Sequence, residues 1–229
     1  MATKAVIFDL FFTLINPLNT GPGEETEYSV LGMDRKDFEK RNTASYPERA
    51  CGGIRDPHEM MASILRGLDI PEYLLRRAAE ARLERIRKAL YNADKKNIAL
   101  LHTLRSAGYK TALISNADIA DIYYWKDSPL HPCFDEVIFS FDTGLLKPDP
   151  KIYELALKRL DLGGKDCLYI GDGGHEELHG AKAAGMTTVL TVEYISSLWP
   201  EKIEELRLGA DYTVGRLGDI LKILEQVNQ

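Results

Sequence analysis

The sequence predicts an α/β fold, a doubly wound parallel sheet with helices on both faces and a helical cap inserted after the first strand. Three observations carry this. Short apolar, β-branched runs recur along the chain, helical patterns lie between most of them, and one stretch of about eighty residues near the N-terminus breaks the alternation. The first run, Lys4–Phe8 (KAVIF), stops at Asp9 as a buried parallel strand does. Similar runs follow at Lys110–Ile114, Asp135–Phe139, Cys167–Ile170 and Thr187–Val192. Lys96–Ala107 places Ile98, Leu101 and Leu104 at helical spacing, and Gly108 supplies a C-terminal stop. Ile152–Leu160 and Glu177–Ala184 fit the same template.

Between about Asn16 and Asp94 no strand is recognisable. Glu72–Tyr91 is the clearest helix there, with Leu75, Ala78, Ala79, Leu83, Ile86 and Leu90 on one side. Its Arg and Glu residues read as a solvated face. The expected division is therefore a core of residues 1–15 and 95–229 with a cap of residues 16–94, hinged at Asn16–Gly23 and Asn92–Lys96.

Composition narrows the function classes. With 29 Lys and Arg against 35 Asp and Glu, the net charge of -6 argues against a nucleic-acid partner. No apolar run approaches the roughly 18 residues of a membrane span. Met1–Lys4 leads straight into the first strand, so no signal peptide is expected. Cys51, Cys133 and Cys167 are odd in number and far apart, as reduced thiols in a cytoplasmic protein are. Oligomeric state is not legible.

Ligands of such sheets bind beyond the carboxyl ends of the strands. Those ends carry Asp9 and Thr13, then Ser115 and Asn116, then Lys147 in the loop after the third run, and Asp172 after the fourth. Two carboxylates, a lysine, a hydroxyl and an amide on one rim suit a metal and a phosphate: carboxylates hold Mg²⁺, while Lys147 and Ser115 meet phosphate oxygens.

Four segments then resemble one family in order and spacing. FDLFFTL (Phe8–Leu14) is similar to the first motif of the haloacid dehalogenase (HAD) superfamily, D-x-D-x-[TV]. LISN (Leu113–Asn116) resembles the second, GLLKPDPKIYELAL (Gly144–Leu157) the lysine motif, and IGDGGHEELHGAKAAGM (Ile170–Met186) the fourth. The insert resembles the helical C1 cap that helps select substrate. The resemblance implies a small phosphorylated substrate, with Asp9 as nucleophile forming an aspartyl phosphate. It implies Mg²⁺ held by Asp9, Asp172 and the backbone carbonyl of Phe11. Thr13, Ser115, Asn116 and Lys147 would hold phosphate and nucleophile loop. Glu177 stands where an Asp commonly fixes the metal's water shell, one methylene longer.

Phe11 departs from this pattern. Family phosphatases carry there an Asp that protonates the leaving oxygen and later activates water, and phenylalanine does neither. Phe12 replaces a common glycine. Three readings follow: a phosphatase or phosphotransferase of atypical mechanism; a 2-haloacid dehalogenase, whose halide needs no proton; or a non-catalytic binding or regulatory protein on the same fold. Dehalogenases of the family share an aromatic residue two places after the nucleophile and a Lys/Tyr pair like Lys147 and Tyr153. Against them stand Asp172, where they have a serine, and Gly174, where they have an asparagine. Asp172 would repel a haloacid's carboxylate unless Mg²⁺ intervened.

Other signals are weaker. His175–His179 matches H-E-x-x-H, and both histidines would share a helical face, yet it overlaps the fourth motif and no histidine follows as a third ligand. His175 is expected to be solvent-exposed, with substrate contact the alternative. Gly171–Gly174 reads as a tight turn presenting Asp172, or as a phosphate cradle. Asp118 reads as a first-turn helix carboxylate. Tyr123, Tyr124 and Trp125 read as packing or interface residues. Arg49 and Arg55, flanking Cys51–Gly53, read as surface arginines, with an anion clamp as the alternative.

Overall fold

The structure, a computed structural model, describes residues 3–19, 21 and 23–228; Met1, Ala2, Thr20, Pro22 and Gln229 lie outside the described residues, and with them part of the expected first hinge and of the N-terminal lead-in. Six strands, β1 (Ala5–Phe8), β2 (Lys110–Ser115), β3 (Glu136–Phe139), β4 (Cys167–Gly171), β5 (Thr187–Thr191) and β6 (Tyr212–Val214), form one sheet in the order β3-β2-β1-β4-β5-β6. Every pairing is parallel. The order reverses beside β1, which places the topological switch point at its carboxyl end.

The expected doubly wound parallel sheet is thus the observed one. β6 has no counterpart among the expected strands, because three residues are too short to show a period. Successive residues of β1 face opposite sides. Val6 and Phe8 join one buried layer with Leu113 and Ile170, while Ala5 and Ile7 join the other with Ile114 and Tyr169.

The helices between β1 and β2 are α1 (Glu27–Val30), α2 (Arg35–Ala50), α3 (Pro57–Ile64), α4 (Glu72–Tyr91) and α5 (Lys95–Ser106). Asp34, Asp56 and Asp94 cap α2, α3 and α5 through their side chains, so α5 starts inside the expected second hinge. Phe38, Met60, Met61, Ile64 and Leu65 form a separate apolar cluster with Ala78 and Ala79 of α4. Further along, Ile86 and Leu90 of the same helix enter the layer on the sheet. One rigid helix therefore spans both clusters.

Between the two halves of α4 lies buried charge. Arg82 is 5% exposed and bonds Asp118 Oδ2 at 2.9 Å and Asp121 Oδ1 at 3.3 Å, and Arg49, fully buried, pairs with the same Asp118 oxygen. Arg49 also donates to the main-chain oxygen of Asn42 at 2.7 Å. The expected surface arginine at 49 and the wholly solvated face of α4 are both corrected by this cluster. The reason is Asp118. It caps a short helix, α6 (Ile119–Ile122), at the end of β2, where burial leaves its carboxylate needing cationic partners. Trp125 packs in the core as expected, whereas Tyr123 is exposed. Arg55 lies over the Phe141 ring at 5.1 Å. The three cysteines are free. No helix among the described residues is long and apolar enough to cross a membrane.

Removing Arg82 would leave Asp121 without its cation. Breaking a buried pair from one side costs about 3–5 kcal/mol, equivalent to a drop of about 6–20 °C in a chain of this size. Arg82→Met is expected to lower the thermal midpoint within that range, and an unchanged midpoint would refute a stabilising role for the cluster.

Candidate active site

The loop after β1 folds back on itself. Leu14 N and Ile15 N donate to Leu10 O, and Phe12 N donates to Ile15 O at 2.7 Å. Phe12 sits in the left-handed region at φ 56°, where a side chain costs about 1–2 kcal/mol. This is why glycine would suit the position. The turn aims Asp9 upward, and Thr13 Oγ1 donates to Asp9 Oδ2 at 3.1 Å. The carbonyl of Phe11 accepts no hydrogen bond among the described residues.

Lys147 arrives from the loop beyond β3. The Asn116 side chain holds that loop at both polar groups of one residue: Lys147 N donates to Oδ1 at 2.8 Å and Nδ2 donates to Lys147 O at 3.0 Å. Asn116 thus fixes the lysine's main chain. Lys147 Nζ meets Asp9 Oδ1 at 2.6 Å, Glu177 Oε2 at 2.5 Å and the Tyr169 hydroxyl at 3.2 Å. Ser115 is buried at the end of β2, and its hydroxyl donates to Asn116 O at 3.3 Å.

Two helices follow β3, α7 (Ser140–Thr143) and α8 (Pro150–Leu160), and Glu177 opens the next, α9 (Glu177–Ala183). One Glu177 oxygen, Oε1, accepts from Gly173 N at 3.0 Å, and Tyr169 Oη donates to the other, Oε2, at 2.8 Å. Gly174 N donates to Asp172 Oδ1 at 3.0 Å. Both turn amides are therefore engaged by carboxylates, which supports the tight turn over the phosphate cradle. Gly171 is needed beneath it, since a Cβ there would collide with Glu177 Oε1.

Sequence reasoning missed Tyr169. Its signal was a hydroxyl in an otherwise apolar strand. Tyr153, which forms with Lys147 the pair that resembles dehalogenases, donates to Glu177 O at 2.9 Å. His175 and Glu176 both adopt left-handed conformations ahead of α9, so the two histidines of H-E-x-x-H do not share a helical face.

Carboxylate oxygens of Asp9, Asp172 and Glu177 lie within 4.8 Å of one another. Burial first, then repulsion from Glu177, raises Asp9 to about 6 against the pull of Lys147. Asp172 is pushed well up by burial and by Glu177 and Asp9. Burial works to lower Lys147, but Asp9 and Glu177 outweigh it and hold the ammonium charged. An excess of negative charge with an all-oxygen donor set is what a hard divalent cation neutralises.

Above this floor opens a cavity of about 910 Å³, lined by Asp9, Lys147 and Asp172 below and by residues of α2 and α4 above. His175, exposed to it, stacks on Tyr46 of α2 at 5.8 Å. Phe12 meets Trp199 edge-on at 4.9 Å.

Residues 3–185 match the family model described as haloacid dehalogenase-like hydrolase. The chain belongs to that family. A glyceraldehyde 3-phosphate phosphatase of Pyrococcus furiosus is 30% identical over 128 residues, covering 55% of this chain and 51% of that one. This chain spans about half to three-fifths of the length of the first such curated relatives it matches. Among solved structures, the L-2-haloacid dehalogenase of Xanthobacter autotrophicus superposes with a TM-score of 0.65 at 20% identity, covering 97% and 98% of the two chains. A HAD family enzyme of Bacteroides thetaiotaomicron in complex with magnesium and inorganic phosphate gives 0.63 at 17%, covering 83% and 94%. At such identities these two establish the shared fold.

Asp9 binds its proton more tightly folded than unfolded. The stability it contributes is complete below 3.8 and is lost as pH rises through about 6. Lys147→Met removes the cation that restrains this rise, so the loss deepens and moves to higher pH. Thermal midpoints measured from about pH 5 to about pH 8 should therefore fall more steeply in the variant than in the wild type. Parallel profiles would show that Lys147 does not govern the titration of Asp9.

Proposed function

We propose that this HAD-family chain is a hydrolase of small phosphorylated metabolites that works through an aspartyl phosphate on Asp9. The observation that carries the reading is the Asp9 carboxylate, held between Thr13 and Lys147 at the floor of a cavity. One oxygen is fixed by the threonine and the other by the lysine, so the carboxylate is oriented for attack on phosphorus. Lys147 would also meet the charge of the incoming phosphate, with Asn116 keeping its loop in place and Ser115 beside it.

The residues fit Mg²⁺, which Asp9, Asp172 and the free carbonyl of Phe11 would hold, with Glu177 supporting its water shell. Bound there, it would supply charge neutralisation at the phosphoryl oxygens. The helical segment 16–94 would act as the cap, its α2 and α4 forming the roof. The phosphatase relatives favour phosphate esters over haloacids, and so does the acidic trio, which repels a haloacid's carboxylate. Free cysteines suit a cytoplasmic location.

Asp9→Asn should abolish turnover of every phosphate ester, because an amide is not a nucleophile. Activity within about tenfold of wild type would exclude the covalent route, since even a missing acid/base costs roughly 10²–10⁴-fold. Separately, Asp172→Ala should reduce the upward thermal shift that Mg²⁺ gives the wild type, and an equal shift would place the ion elsewhere.

Phe11→Asp should raise hydrolysis of p-nitrophenyl phosphate about tenfold, a partial recovery of the roughly 10²–10⁴-fold that a well-placed acid/base supplies. Phe11→Asp with Phe12→Gly should give more by relieving the left-handed strain. Equal rates for Phe11→Asp and Phe11→Asn would mean that proton transfer at this position is not the deficit.

A further inference from the structure

Two independent features of the site bear on the group that leaves. The first is chemical. Phe11 puts a ring where the family's proton donor stands, so a leaving oxygen departs without a proton from this position. An alkoxide is a poor leaving group, its parent alcohol resembling water with a pKa of roughly 15.7. A phenol, at about 10, releases its oxygen as the anion far more easily.

The second feature is the shape of the wall. Phe11 and Phe12 line the cavity just above Asp9. Trp199 extends that surface through its edge contact with Phe12, and Lys202 Nζ lies over the indole at 5.1 Å. Tyr46 of α2 and His175 line the same cavity and stack at an interplanar angle of 22°. Aromatic side chains of both the core and α2 thus line the cavity. Such surfaces suit a flat ring, and each good aromatic contact contributes beyond its buried area.

We infer that the site takes aryl phosphates, monoesters whose leaving group is a phenolic ring seated against the aromatic lining of Phe12, Trp199, Tyr46 and His175. The inference rests on the phosphoryl-transfer reading of Asp9. An Asp9 oxygen attacks phosphorus, the bond from phosphorus to the aryl oxygen breaks, and the electron pair leaves on the aryloxide with no proton delivered. Water then attacks the phosphorus of the aspartyl phosphate, its bond to Asp9 breaks and the carboxylate returns. The phosphate product and solvent take up the protons of that water. Phe11 also withholds the base of this second step, so the intermediate accumulates.

The test is a rapid-quench comparison, in the presence of Mg²⁺, of 1-naphthyl phosphate, glycerol 3-phosphate and acetyl phosphate. The naphthyl ester should give a burst approaching one naphtholate per chain, then slow turnover. Glycerol 3-phosphate should give none. Acetyl phosphate leaves without a proton but lacks a ring, and its kcat/KM should be at least about tenfold lower than that of the naphthyl ester. Trp199→Leu, checked for an unchanged fold by circular dichroism, should weaken calorimetric binding of 1-naphthylphosphonate about three- to tenfold. Glycerol 3-phosphate matching the naphthyl ester would overturn the inference and leave the phosphoryl-transfer reading standing. Acetyl phosphate matching it, or undiminished phosphonate binding in Trp199→Leu, would likewise overturn the aryl seat alone. A wild type that turns over none of the three esters would remove both readings.

Discussion

Around Asp9, the rim of the sheet is organised by one buried ammonium. Lys147 lies within 2.6 Å of oxygens of both Asp9 and Glu177, and its hydroxyl neighbour Tyr169 bonds the same glutamate. Three acids converge there on one lysine, in a place where an isolated charge costs several kcal/mol. The protein meets this by supplying donors to the acids: the Thr13 hydroxyl to Asp9, the Gly174 amide to Asp172, and the Gly173 amide to Glu177. What remains uncompensated is negative, and that excess of charge favours a cation.

The sheet was legible because parallel strands buried on both faces must be apolar throughout, and each such run ends at a polar residue that the fold then presents at the rim. Asp9 and Asp172 could be read for that reason, and Lys147 from the motif in the loop after β3. The pairing of Lys147 with Glu177 and Tyr169 could not, because it depends on a turn, His175–Glu176, whose two left-handed residues have no sequence signature without glycine. Arg49 escapes a sequence reading for a related reason. A charged side chain on a polar helix looks solvated until the partner that buries it is known, and Asp118 lies 69 residues away along the chain.

The ion cluster and the aromatic walls divide the labour of the roof. Arg82 and Arg49 tie α4 and α2 to Asp118, just past the end of β2, the strand that delivers Ser115 and Asn116. Tyr46 projects from the same α2, a single helical turn before Arg49, whose guanidinium lies 5.4 Å from its ring. The salt-bridged residues therefore help set where the Tyr46 ring stands in the wall of the cavity.

Gly171 is not among the residues that line the cavity, yet Glu177 occupies the space where its side chain would be. Any substitution there displaces the glutamate, and with it the lysine's second partner. In a mutational survey scored by activity, this position would rank with the reactive groups themselves. A map of such sensitivity would trace the packing beneath the acids as faithfully as the chemistry above them.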